Sequence, residues 1–424
     1  SVTGFADFEL RGGRLVGLDP LGEALQIMQC SQCNLTRVRG ESTSEMCPAC
    51  SSGMRSFDLY QPRGFYAGVH RDYDDLNESP TVAGTPQLGI QPSTGELDIV
   101  GHCLIETWKQ QVEVIFVNDN KGQLFDLSTP QNGIVYCNNE ELRPSNLKST
   151  RGIDLSNSHK GAIGEIRLTD VVTVTLQDLD IVGGSISTDK RVCPAGQAAL
   201  LSFAEILGKG CLTALDIQPD ELQFGLQPIA GLIQPSARIF IADRLENGAV
   251  YASELARSEN IRKILLDLAT TVANRFERTE HRECSNSCPN CLRSYDNRRL
   301  HSQLDWRLAL DVLDLARGES ISMVRWYEFT EMHARQFVEA FRQASTFEVV
   351  NLDGLVAVGA ENKSQAVVFG HPLWLQKSEY LNDTQAFAQV ELEDAYGFRK
   401  VAFTDPWTLG RLPAKVFSIL NSRE

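Results

Sequence analysis

The stretch HRECSNSCPNCLRSYDN, residues 281–297, sets Cys284, Cys288 and Cys291 in the pattern C-x3-C-x2-C. Thiols at this spacing suit a tetrahedral Zn2+, and a closed zinc site wants a fourth ligand. Apolar residues Ile261, Ile264, Leu265, Leu268, Val272 and Phe276 precede the cluster at helical spacing, and QLDWRLALDVLDLA follows it as a second amphipathic run. The cluster is therefore expected between two helices, in a helical zinc-binding domain. Three residues compete for the fourth position: His301, ten residues past Cys291; His281, three before Cys284; and the distant Cys211. His301 is preferred, because LHSQLDW reads as the start of the outgoing helix and an imidazole on its first turn could fold back. A catalytic zinc would need an open position and a nearby base, and deaminase chemistry wants a His-x-Glu before the P-C-x2-C, which is absent here.

Working outward, a second group lies near the N-terminus. CSQC, with Cys30 and Cys33, is followed after thirteen residues by CPAC, with Cys47 and Cys50. Paired C-x2-C knuckles at that separation point four thiolates at one ion, so a structural zinc ribbon is expected. Seven of the eleven cysteines thus fall into two groups, which argues for two Zn2+ ions and against a secreted disulfide framework.

The 424 residues are too many for one typical core, 42% of them are hydrophobic, and the net charge is -15. No run approaches eighteen consecutive apolar residues and the N-terminus has no signal-peptide pattern, so a cytoplasmic protein without a membrane partner is expected. Starting without Met, the chain reads as a processed or excised piece of something larger. The expected class is α+β and multidomain: an N-terminal segment with the ribbon (1–60), a β-rich domain (61–180), the helical zinc-binding domain (181–318) and a small C-terminal α/β domain (319–424). In the second of these, VEVIFVNDN and GQLFDLS flank an Asn-Asp-Asn-Lys-Gly run, 118–122, that reads as a hairpin turn.

The segments LTALDIQPDELQFGL, IADRLENGAVYASELA and CSNSCPNCLRSYDNRRLHSQLDWRLALD resemble the helicase-associated zinc-binding domain called MZB. That domain occurs at the C-terminus of superfamily-two DNA helicases and in bacterial anti-phage systems such as DISARM and Druantia. QPRGF, VNDNKGQLF and IGEIRLTD look like the segments preceding it in the defence proteins. The likeness covers roughly residues 26–318. It implies a DNA-acting defence protein whose partners are DNA, a helicase motor in the same or a partner chain, and other defence proteins. This cluster departs from the family's usual four cysteines by having three. The motor's signatures are absent: no G-x4-G-K-[ST] occurs, and Asp220-Glu221 is not followed by Ala-His or Ala-Asp. The chain alone is therefore expected not to hydrolyse ATP.

Around the cluster, Arg275, Arg278, Arg282, Arg293, Arg298 and Arg299 crowd a stretch with four acids, and Tyr295 could stack on a base. Arg293, Arg298 and Arg299, just past the knuckle, are the expected nucleic-acid contacts. The ordinary alternative pairs these arginines with Glu277, Glu280, Glu283 and Asp296. Two other functions compete: a protein interaction scaffold, which the acidic charge favours, and a metal-dependent nuclease built on Asp353, Glu361 and Lys363.

Overall fold

The computed structural model describes residues 4–40, 44–66, 86–89, 95–120, 122–130, 133–136, 158–181, 183–231, 233–246, 248–278, 281, 283–295 and 297–422. The protein is α+β, in two compact units that each draw on separate stretches of chain. Residues 1–95, 108–171 and 242–249 make the first, and residues 96–107, 172–241 and 250–424 make the second. The boundaries expected at 60, 180 and 318 do not coincide with theirs.

The first unit is built on strands. Its largest sheet runs Thr36–Val38, Leu25–Cys30, Met54–Tyr60, His159–Thr169, Val112–Asn118, Pro86–Leu88. Along VEVIFVN both faces are covered: alternation puts Val112 and Val114 on one and Ile115 and Val117 on the other, and all four are buried. Ile115 and Val117 share a small core with Ile27, Phe57, Leu59 and Ala162. The Asn118–Gly122 run does turn, with Asn120 and Gly122 at positive φ. It does not make a hairpin, however. Val112–Asn118 and Phe125–Leu127 both pair with the eleven-residue strand His159–Thr169, the first along residues 163–169 and the second along 159–161. The turn is a jog between two strands that share one partner.

The second unit is organised by the helix Gly196–Leu215. It is apolar on most sides because it packs against the strand Leu222–Ile229 and the helices Ser258–Asp267 and Trp306–Arg317. By length and composition it could cross a bilayer, yet its side chains Ala199, Phe203, Leu207 and Cys211 are buried in the protein's own core. The expected helix over 261–276 forms with a π-helical turn at Leu268–Ala273, after which Phe276 is buried. Residues 319–424 hold an α/β layer. It comprises the helix Val324–Phe341 and a sheet ordered Phe347–Asn351, Val356–Ala360, Ala366–Phe369, Val401–Thr404. The layer is not separate: Leu355, Ala357 and Val368 lie in the same buried cluster as the central helix.

A buried polar knot ties that layer down. Asp311, on the helix Trp306–Arg317, accepts from Arg325 Nη1 (2.9 Å), Trp326 Nε1 (2.7 Å) and His371 Nε2 (3.1 Å). The Leu373 N–H donates to His371 Nδ1, so the imidazole proton sits on Nε2, facing Asp311. Burial opposes ionisation of Asp311, but His371, Arg325 and Trp326 outweigh it and hold the carboxyl below its usual range. A folded-state pKa below the unfolded one means that this stability is present above about pH 4 and lost as pH falls through the folded value. Asp311→Ala leaves Arg325 and His371 without their acceptor, and is expected to cost about 3–5 kcal/mol in denaturant unfolding at neutral pH, less in acid.

Candidate metal centres

The ribbon repeats one local device. Cys30 ends the strand Leu25–Cys30, and the chain turns so that the Asn34 N–H donates to the Cys30 carbonyl (3.1 Å). In the second knuckle the Ser51 N–H donates to the Cys47 carbonyl (2.8 Å). Asn34 and Ser51, each four residues past the first cysteine, both adopt positive φ, at 60° and 58°. Asparagine tolerates that conformation and serine does so less readily, so each knuckle closes against some backbone strain.

The turns bring the sulfurs together. Cys30 Sγ lies 3.4 Å from Cys50 Sγ, Cys33 Sγ lies 3.5 Å from Cys47 Sγ, and Cys33 and Cys50 are 3.7 Å apart. A disulfide would need about 2.0 Å, whereas a zinc tetrahedron with bonds of about 2.3 Å has edges of about 3.8 Å. The spacing is that of a zinc shell slightly contracted. Burial pushes the Cys33 thiol up; at Cys50 burial also opposes ionisation, but hydrogen bonds from Ser52 and from Cys30 and Cys33 draw it down to about 7. Four such thiols cannot all ionise beside one another without a cation, and a divalent ion supplies that charge.

The second centre is assembled from His281, Cys284, Cys288 and Cys291, whose ligand atoms all lie within 4.8 Å of one another. His281 lies five residues past Phe276. Its Nδ1 meets the Phe276 carbonyl at 3.0 Å, which places the ring proton on Nδ1 and leaves the Nε2 lone pair 3.7 Å from Cys288 Sγ. The ring is stacked on Phe276 and edge-on to Trp306, and Trp306 Nε1 donates to the Cys284 carbonyl. From the central helix, Lys209 Nζ donates to the Cys291 carbonyl. The hydrogen bond from Cys284 pulls the Cys291 thiol down to about 4 and pushes Cys284 up. Thiolate and imidazole donors, four to a group, suit zinc, and neither site keeps the open position of a catalytic centre.

His301 does not join this group, contrary to the sequence expectation. The outgoing helix starts at Trp306, capped by Asp305, so His301 lies ahead of it and after the short turn Arg298–Leu300. Its Nε2 is engaged by the Ser294 carbonyl (3.0 Å) and Asn297 Oδ1 (2.9 Å). Cys211 is buried in the central helix, outside the group. The missed signal was in the spacing: His281-x2-Cys284 repeats the interval of Cys288-x2-Cys291, and Phe276 and Trp306 supply the ring's walls.

The loop that leaves the centre carries the expected nucleic-acid contacts. Arg293 is half-buried, its Nε donating to Ser287 Oγ at 3.0 Å. Arg298 and Arg299 share the exposed turn Arg298–Leu300, and the Arg298 guanidinium lies 4.4 Å over the ring of Tyr295, itself 78% exposed. Glu277, offered by the sequence as a partner for these arginines, pairs with Arg325 at 2.8 Å. Glu280, Arg282 and Asp296 lie outside the described residues. The nuclease constellation does not assemble. Asp353 precedes the strand Val356–Ala360 and Glu361 follows it, so about 16 Å of extended chain separates them. Lys363 is paired with Glu348 and covers the Phe398 ring.

No family model matches the chain, and no curated protein matches it. Among solved structures, it is similar to the DUF1998 helicase MrfA bound to DNA, with 14% identity and a TM-score of 0.30 over 55% of this chain and 25% of that one. It is also similar to the same helicase bound to DNA and AMPPNP, with 12% identity and a TM-score of 0.22 over 72% and 35%. The chain thus spans between a quarter and about a third of the length of those structures.

Proposed function

We propose that this chain is a noncatalytic, zinc-stabilised DNA-binding and coupling module of a bacterial, cytoplasmic anti-phage helicase, its motor lying in the same protein or in a partner. One observation carries the DNA-binding part: the His281-Cys284-Cys288-Cys291 centre anchors a short loop on which Arg298, Arg299 and Tyr295 are exposed. A guanidinium lying over an aromatic ring, both open to solvent, suits a phosphate beside a stacked base, and a loop already ordered by metal loses little entropy on binding. The resemblance of the cluster and of LTALDIQPDELQFGL to the MZB domain supports the helicase setting and the defence role. Coupling without hydrolysis follows from the missing phosphate loop.

The test is a titration of labelled single- and double-stranded DNA at two salt concentrations. The zinc-loaded chain is expected to bind both with a clear salt slope. Replacing Arg298 and Arg299 together by alanine should lower that slope by about 0.9 for each duplex phosphate that is no longer neutralised. Tyr295→Ala should cost about 1–3 kcal/mol on single strands. Binding that is unchanged in all of these variants, or DNA-stimulated ATP hydrolysis by the purified chain, would overturn the reading.

A further inference from the structure

We propose that an acidic, apolar groove on the C-terminal layer docks a segment of another protein that is apolar at its centre and basic at its margins. The groove is an open cavity of about 580 Å3 beside the helix Asp383–Asp394, and its walls include Leu352, Asp353, Asp383, Phe387, Val390 and Glu391. That helix buries Gln385, Ala388 and Leu392 on its inner face and still presents Phe387, 77% exposed, and Val390, 54% exposed, outward. A large aromatic and a β-branched residue held in water beside a cavity form a patch of the kind that anchors interfaces. A capping box joining Asn382 and Gln385 fixes the start of the helix, so the patch is set before anything binds it.

Charge selects the occupant. The helix carries four acids and no lysine or arginine, and Asp353, outside the helix, adds a further carboxylate to the lining. Asp353, Asp383 and Glu391 have no ion-pair partner among the described residues. Such a rim repels DNA phosphates, and it repels a second copy of a chain whose net charge is -15. Lysine or arginine flanking an apolar side chain satisfies both the rim and the patch. The groove is separate from the zinc-anchored loop, so this proposal stands or falls apart from the DNA reading.

The experiment uses the full zinc-loaded chain and a labelled amphipathic helical peptide of leucine and lysine, with a leucine and glutamate counterpart. The lysine peptide is expected to bind in a salt-dependent manner. Binding should weaken at least about tenfold with Phe387→Ser, and equally with Asp353→Asn, Asp383→Asn and Glu391→Gln combined. Neutralising Glu259, Glu328 and Glu339, exposed acids on other helices, should leave it unchanged. Phe387 is mostly solvent-facing, so its serine variant is expected to keep both zinc ions and full DNA affinity. Equal binding by the groove variants, equal binding of the glutamate peptide, competition by DNA, or self-association of the chain that Phe387→Ser abolishes would each overturn the proposal.

Discussion

Stripping zinc from the protein is expected to unfold the ribbon outright while the helical core survives. The ribbon's buried cluster consists of Cys30, Leu35, Cys47 and Ala49, so two of its four members are themselves ligands. Without metal, the apolar remainder is one leucine and one alanine, whose burial contributes about 2–3 kcal/mol. Ordering its backbone costs about 1–2 kcal/mol per residue, which that burial cannot offset over the two knuckles. Zinc bound by four thiolates supplies on the order of 10–16 kcal/mol in small domains of this kind. Elemental analysis should therefore find two zinc ions per chain. A strong chelator, or Cys30→Ser, should open residues 30–53 to protease while the helix Gly196–Leu215 stays protected. Zinc should also leave as pH falls, because protons compete for the thiolates. A ribbon that resists protease equally with and without metal would refute this account.

The second large effect separates two histidines. His281→Ala removes one of four ligands and the ring packed between Phe276 and Trp306. Its zinc affinity at this centre is expected to fall more than about 100-fold, beyond the 10–100-fold typical of changes outside the ligand set. Stoichiometry should drop towards one zinc per chain, and the DNA-binding loop should lose its order with it. His301→Ala removes hydrogen bonds to Ser294 and Asn297 and should cost about 1 kcal/mol with both zinc ions retained. Cobalt substitution reads the difference directly: His281→Cys should convert a three-sulfur, one-nitrogen spectrum into a four-sulfur one, and His301→Cys should not. Loss of the second metal in the His301 variant alone would reverse the assignment.

Much of this was legible in the chain because it is written in local spacing. C-x2-C pairs and an apolar repeat such as Ile261 to Phe276 need only a few neighbouring residues to be read, and both formed as expected. Whether His281 or His301 reaches the metal depends on where the next helix starts, which Asp305 decides by capping Trp306–Arg317. The Asn118–Gly122 turn departs from a hairpin for a related reason. Its residues specify a bend, but whether the flanking strands meet depends on a strand some forty residues later. Asp353 and Glu361 were brought together by a pattern that ignores the length of the strand between them. The helices Asp383–Asp394 and Pro413–Leu420 escaped notice, the first because its apolar residues lie on two faces.

That long strand, His159–Thr169, also sets an order of events during synthesis. It is the element to which Met54–Tyr60, Val112–Asn118 and Phe125–Leu127 all pair, so the sheet that joins the three is not complete until residue 169 has emerged. At roughly 5–20 residues per second, the ribbon's last cysteine, Cys50, waits on the order of 6–24 seconds for that moment. The knuckles, each closed across four residues and joined by Cys30 and Cys50 across twenty, close on a far faster clock. Metal capture can therefore precede the sheet, and the nascent ribbon hands the growing strands a finished edge instead of four exposed thiols.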